Sequence, residues 1–135
     1  MRLKKAVAKM LERERICRVA TADGAGRPHV VPVCHVVHGG KIYFATERGS
    51  RKIRDLEANP RAAVAVDVYS EEWSHLLGVT VQGTVRLVRA GSEFRALRKR
   101  LYDKYPQYPE EAAISERDDV FVEVTPTQVS EWGLS

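Results

Sequence analysis

At 135 residues, 44% apolar and 30% charged, the chain has the size and composition of one soluble domain able to bury a core without staples. No apolar run approaches the roughly 20 residues of a membrane span, the opening MRLKKAVAKMLERER lacks the apolar centre of a secretion signal, and two cysteines make no disulfide framework, so a cytoplasmic protein with free Cys17 and Cys34 is expected. The net charge of +4 is uneven: from Pro106 onward seven acids face one Arg (Arg117), a balance of −6, which leaves +10 on residues 1 to 105, attractive to nucleic acid, an anionic membrane or a phosphorylated small molecule.

In chain order, Leu3, Val7, Met10 and Leu11 recur at helical spacing and predict an amphipathic helix over 2–14. RICRVAT (15–21) reads as a strand and DGAGRP as the turn after it; a turn centred on Ala25-Gly26 would set Cys17 opposite Cys34. HVVPVCHVV (29–37) reads as one strand, in which Pro32 cannot donate to a ladder and so marks an edge, a bulge or a stretch facing something other than a strand. Gly39-Gly40 suits a two-residue turn with positive φ at both centres and joins that strand to KIYFAT (41–46). A helix over 50–58 follows. RAAVAVDVY (61–69) is nearly continuously apolar, as expected of a strand buried on both faces. LLGVTVQGTVRLV (76–88) alternates, with Leu77, Val79, Val81, Val85 and Leu87 on one face. Phe94, Leu97 and Leu101 predict a helix over 91–105, YPQYP a loop, and DVFVEVTP (119–126) a last strand. About six strands at hairpin spacing with helices at the edges suggest a small antiparallel barrel, with no internal repeat.

ATERGSRKIRDLEANP crowds Arg51, Lys52 and Arg54 into the opening turn of a helix, where the dipole favours anions. With Gly49 allowing a tight turn and Ser50 a good N-cap, the free first-turn N–H groups and the cations beside them form a phosphate site. The alternative is that Arg51 pairs with Asp55 at i,i+4 and the other cations are solvated. His29, Cys34, His35 and His38 fall within ten residues, but alternation sets Cys34 and His35 on opposite faces and no CxxC, HxxxH or HxH spacing occurs, so no metal is expected. His29 and His35 would share a face as a satisfied pair or a pocket wall. No GxSxG, Rossmann or Walker pattern is present, and no catalytic nucleophile or base is assigned. Trp73, in a connection between strands, is a stacking surface or a cover for the barrel mouth.

The run RVATADGAGRPHVVPV…KIYFATERGSRKIRDLEANPRAAVAVD…VTVQGTVRLV resembles the pyridoxamine 5′-phosphate oxidase-like flavin-binding split barrels over roughly residues 15–89, most specifically in the block SRK…L..NPR.A. DVYSEEWSHLL and KYPQY are similar to the branch associated with the deazaflavin coenzyme F420 and extend the resemblance to about residue 108. It implies a mainly β (α+β) fold: a six- to seven-stranded antiparallel split β-barrel with flanking helices, one domain over 1–135, homodimeric with two cofactors at the interface. The cofactor phosphate would lie against Arg51 and Lys52 with Ser50 beside them. The ring edge would meet the 30–35 strand (Pro32, Val33, Cys34) and Phe44, Ala45 and Thr46. Trp73 and Gly78 complete the expected cofactor-binding set; Gly78 stands where the flavin enzymes place a Gln. With that Gln absent, and without the C-terminal extension of the vitamin-making enzymes, the chain departs from pyridoxine oxidation and leans toward F420, with FMN as the other cofactor.

Two functions follow. One is an oxidoreductase in which F420 or FMN carries hydride to a small organic acceptor. The other is an FMN-binding protein, flavin reductase-type or not, or a non-catalytic cofactor module. A nucleic-acid barrel would display exposed strand aromatics for stacking, and none is patterned here.

Overall fold

The computed structural model describes residues 2–134. In chain order the elements are α1 (Lys5–Arg13), β1 (Cys17–Ala22), β2 (Pro28–Val33), β3 (Val36–His38), β4 (Lys41–Glu47), α2 (Arg51–Ala58), β5 (Arg61–Val68), a 3-10 turn at Trp73–His75, β6 (Leu77–Val88), α3 (Gly91–Lys104), α4 (Tyr108–Glu111) and β7 (Asp119–Trp132). The seven strands form one sheet in the order β2-β1-β5-β6-β7-β4-β3, with every pairing antiparallel.

The two edges of that sheet, β2 and β3, are consecutive in the chain with only Cys34 and His35 between them. Two residues span at most about 7 Å, so the sheet must curl until its edges nearly meet. The result is a barrel split at Cys34–His35. The stretch 29–37 is therefore two strands, because the ladder partner changes from β1 to β4 at that point. Pro32 lies on the β2 edge, where its missing N–H leaves no neighbour unsatisfied.

Alternation along each strand sorts side chains into two cores. Ile42 and Phe44 point inside the curl with Val64, Val66, Val79, Val81, Val122 and Val124, and α1 adds Val7, Met10 and Leu11. Tyr43 and Phe121 point to the other side, where Phe94, Leu97 and Leu101 of α3 cover them; the Phe94 and Phe121 rings meet edge-on at 5.0 Å. Burying each such side chain stabilises the fold by about 1.5–3 kcal/mol.

Gly39 and Gly40 adopt φ of 60° and 75°, as a two-residue β3–β4 turn requires. β5 is not buried on both faces: Ala62, Val64 and Val66 are core, whereas Ala63 and Ala65 lie half-buried on the outer face. The YPQYP segment is not wholly loop, since Pro109 falls in the first turn of α4, where no N–H is needed. β7 continues past Pro126 to Trp132, because the β6–β7 register shifts by one between Gln82 and Gly83 and the proline sits at that irregularity. His29 and His35 form no pair. They lie in different segments, and His35 is fully buried with Nε2 donating to the Leu11 carbonyl at 2.5 Å.

Candidate functional site

β4 and α2 build the site from adjacent residues. Thr46, near the end of β4, donates from Oγ1 to Ser50 Oγ at 3.2 Å, and Ser50 caps α2 by accepting from the Ile53 N–H at 3.4 Å. The first turn of α2 holds no acid, so its free N–H groups keep their full attraction for an anion. Ala45, Thr46, Ser50 and Lys52 line one cavity of about 320 Å³, joined by Glu47, Tyr108, Ala112, Ile114 and Asp119. Two hydroxyls and the Lys52 ammonium thus share the cavity with the Glu47 and Asp119 carboxylates, which are neighbours on β4 and β7.

Arg51 does not line the cavity. Its Nε lies 3.8 Å from Asp55 Oδ2, the i,i+4 pairing that the spacing offered as an alternative.

A second groove of about 260 Å³ adjoins the first and shares Tyr108 and Ala112 with it; Cys34, Tyr105, Gln107 and Glu111 complete its walls. Tyr108 is fixed by stacking on Tyr102 at 5.9 Å and by edge contact with Tyr105 at 6.0 Å. The Tyr105 hydroxyl accepts from the His35 N–H at 3.1 Å and lies 2.9 Å from the Arg15 carbonyl, which ties α3 to the crossover between the sheet edges. Burial pushes the Tyr105 phenol up to about 12; burial and the neighbouring Cys34 raise Tyr108 as well. Both phenols are therefore protonated at neutral pH, and the groove presents rings and O–H groups, not charge. Cys34 thus joins Ala45, Thr46, Ser50 and Lys52 along one continuous surface.

The other expected residues stand apart. Phe44 is wholly inside the core, so only its backbone can meet a ligand. Pro32 and Val33 lie on the β2 edge short of the crossover. Ala45, Phe121 and Val88 form one row across β4, β7 and β6, and Gly78 lies at the other end of β6, about 30 Å of strand away. Trp73 is at that far end too, 73% exposed, with Nε1 donating to the Tyr69 hydroxyl at 3.3 Å. Ile114 and Asp119 carried no local signal and Tyr108, within KYPQY, no assigned role, because all three reach the cavity from more than 50 residues along the chain. Among the described residues no group of three His, Cys, Asp or Glu side chains is arranged to hold a metal.

The sequence profile of pyridoxamine 5′-phosphate oxidase matches residues 3–133. Among solved structures, an F420 reductase superposes with a TM-score of 0.75 at 25% identity, covering 95% of this chain and 98% of that one. An FAD-binding protein from Mesorhizobium loti gives 0.76 at 24%, covering 96% and 94%. The heme storage protein HutZ from Vibrio cholerae gives 0.79 at 17%, covering 96% and 94%. A search of curated proteins finds no match.

Proposed function

The chain belongs to the pyridoxamine 5′-phosphate oxidase family, and from that premise we propose that it is an oxidoreductase using F420 or FMN to pass hydride to a small organic acceptor. The observation that carries this reading is the cavity where Ala45, Thr46, Ser50 and Lys52 meet at the acid-free start of α2. Those residues fit a cofactor phosphate: backbone N–H groups, two hydroxyls and an ammonium converge on one space. The bound cofactor would supply the hydride-carrying ring. Lys52 and the first-turn N–H groups would hold its phosphate, Ala45 and Thr46 its polar middle, and the Cys34–Tyr108 groove would keep water from its ring. No side chain of this site need act as nucleophile or base. The 25%-identical F420 reductase favours the deazaflavin over FMN.

Trp73, 73% exposed, is too far along the sheet to serve the same site in one chain, which supports a homodimer in which it faces the partner's cofactor, whereas Gly78 is covered by the Trp132 indole. The outer face offers such a contact: Ala20, Ala63, Gln82 and Thr84 line a shallow hollow of about 590 Å³, and Val30 beside it is 62% exposed. An isologous pairing is the commonest way to cover such a face.

The deciding experiment titrates purified protein separately with F420 and FMN and follows fluorescence quenching, with sedimentation in parallel. Saturable quenching by one cofactor, on a dimer, is expected. Quenching by neither defeats the cofactor reading, and a monomer at micromolar concentration defeats the shared site.

A further inference from the structure

Lys104, at the end of α3, is a buried cation whose bonding demand is unmet. Its side chain is 7% exposed, and no hydrogen bond among the described residues reaches its Nζ. Glu12 Oε1 lies 4.0 Å away, an ion pair but too long for a hydrogen bond. The Tyr105 ring, its centroid 5.3 Å from Nζ, attracts the charge without satisfying the N–H donors. Burial pushes the amine below the ordinary lysine value, against the pull of Glu12. A buried ammonium is costly unless it is both paired and hydrogen-bonded, so an acceptor arriving at Lys104 would be strongly favoured.

Lys104 lines a cavity of about 310 Å³ between α1, β3 and α3, which shares no residue with the two cavities of the candidate cofactor site. That volume is at the small end of the roughly 300–1,000 Å³ typical of ligand sites. Arg100, Asp103 and Lys104 fall on one face of α3, Glu12 comes from the last turn of α1, and Val36 and Val37 of β3 supply an apolar wall. Arg100 forms no ion pair or hydrogen bond among the described residues. Glu12 Oε2 accepts from the Val37 N–H at 2.8 Å, which leaves Oε1 open beside Lys104. Asp103 Oδ2 accepts from Lys99 Nζ at 3.1 Å, which leaves Oδ1 open. Two cations and two carboxylate oxygens thus border one space. A simple anion would satisfy the first pair and be repelled by the second, and a simple cation would meet the reverse. A zwitterion meets both.

We infer that this cavity binds a free α-amino acid: its carboxylate on Lys104 and Arg100, its ammonium on Glu12 and Asp103, its side chain against Val36 and Val37. The orphaned Lys104 ammonium carries the inference, which is independent of the cofactor reading.

The test titrates the purified protein calorimetrically with the free L-amino acids, one at a time. At least one with an apolar side chain should bind saturably with a Kd of about 1 mM or below. The deaminated acid and the decarboxylated amine bearing the same side chain should each bind about tenfold more weakly or worse, since each leaves one pair of charges unmet. Lys104→Met should weaken the amino acid by about tenfold or more while the melting temperature holds or rises, because a buried charge has left. Arg100→Ala, on the exposed rim, should weaken it at an unchanged melting temperature, and it carries the test should Lys104→Met fail to fold. If no amino acid binds, solvent alone serves Lys104 and the inference is overturned. A deaminated acid that binds as tightly as its amino acid overturns it too, as does undiminished binding by the folded variants.

Discussion

Gly78 and Trp132 face each other across the β6–β7 ladder, and the indole occupies the space a side chain at 78 would need: a Cβ there would fall 2.6 Å from Trp132 Cε2. Gly78→Ala should therefore expel the ring. Overpacking costs about 1–3 kcal/mol, and the low end is expected because Trp132 sits near the strand end and can swing outward. In a Trp73→Phe background, Trp132 emission should move to longer wavelength in Gly78→Ala, and Trp132→Ala should remove the stability penalty of Gly78→Ala. Unchanged emission would mean that the ring and the new methyl group coexist.

What the sequence disclosed depended on how local the cause was. Gly39-Gly40, the alternation of β6 and the Ser50 cap are fixed by neighbouring residues and were legible. The division of 29–37 was not, since both halves have strand composition and only the curl of the whole sheet separates their partners. Pro109 read as loop and Pro126 as the end of a strand, yet each occupies a place inside an element where a missing N–H costs nothing. Ser50 and Lys52 were legible together because cap and cation open one helix, while Thr46 came only through the family resemblance; the three line one cavity. Tyr108 and Asp119 were not legible, because their proximity is created by β4 pairing with β7.

His35 makes stability depend on pH. Burial, assisted by the charge of Lys104, pushes its imidazole from 6.5 down to about 4, against the opposing pull of the Leu11 carbonyl, Glu12 and Glu14. A depressed imidazole stays neutral in the fold while the unfolded chain takes up a proton. Stability is thus complete above pH 6.5 and lost as pH falls toward about 4. The slope should be about 1.4 kcal/mol per pH unit, near 3 kcal/mol in all. Glu93 and Glu123, held below their usual value of 4.5 chiefly by Arg86, add losses only below that value. Urea melts between pH 6.5 and 4.5 should therefore isolate His35, and His35→Gln, which can still donate to Leu11, should flatten the dependence. A flat profile in the parent would contradict this account.

The two thiols should behave differently. Cys17 pairs with Val33 and not with Cys34, one residue away from the expected register. The cause is Asp23, whose Oδ1 accepts from the Ala25 and Arg27 N–H groups at 2.9 Å and whose Oδ2 accepts from Arg27 Nε at 2.8 Å, holding a five-residue turn centred on Ala25. Cys17 is fully buried and its thiol is pushed up to about 12 by burial, whereas Cys34 lines the Tyr108 groove. Titration of unreduced protein with a thiol reagent should find one reactive group in the native state and the second only after denaturation. No reactive group even after denaturation would reveal a disulfide.

Lys52 offers the sharpest test of the site. It stands in the cavity at the α2 start with Ser50 and Thr46, whereas Arg54 lies exposed outside it. Replacing Lys52 by Ala should remove a charge-assisted hydrogen bond and weaken a phosphate-bearing cofactor by about 1.5–3 kcal/mol, roughly ten- to a hundredfold in Kd. Arg51→Ala should weaken binding less, because Arg51 lies outside the cavity and stands by Asp55. Arg54→Ala should change affinity little. Without ligand, Lys52→Ala should melt at the parent's temperature or slightly above, since a cation leaves the positive end of the helix dipole. That combination separates a binding role from a folding one: affinity falls while stability does not. Should Lys52→Ala and Arg51→Ala both bind cofactor as tightly as the parent, the helix start holds no phosphate and the charge there is only solvated.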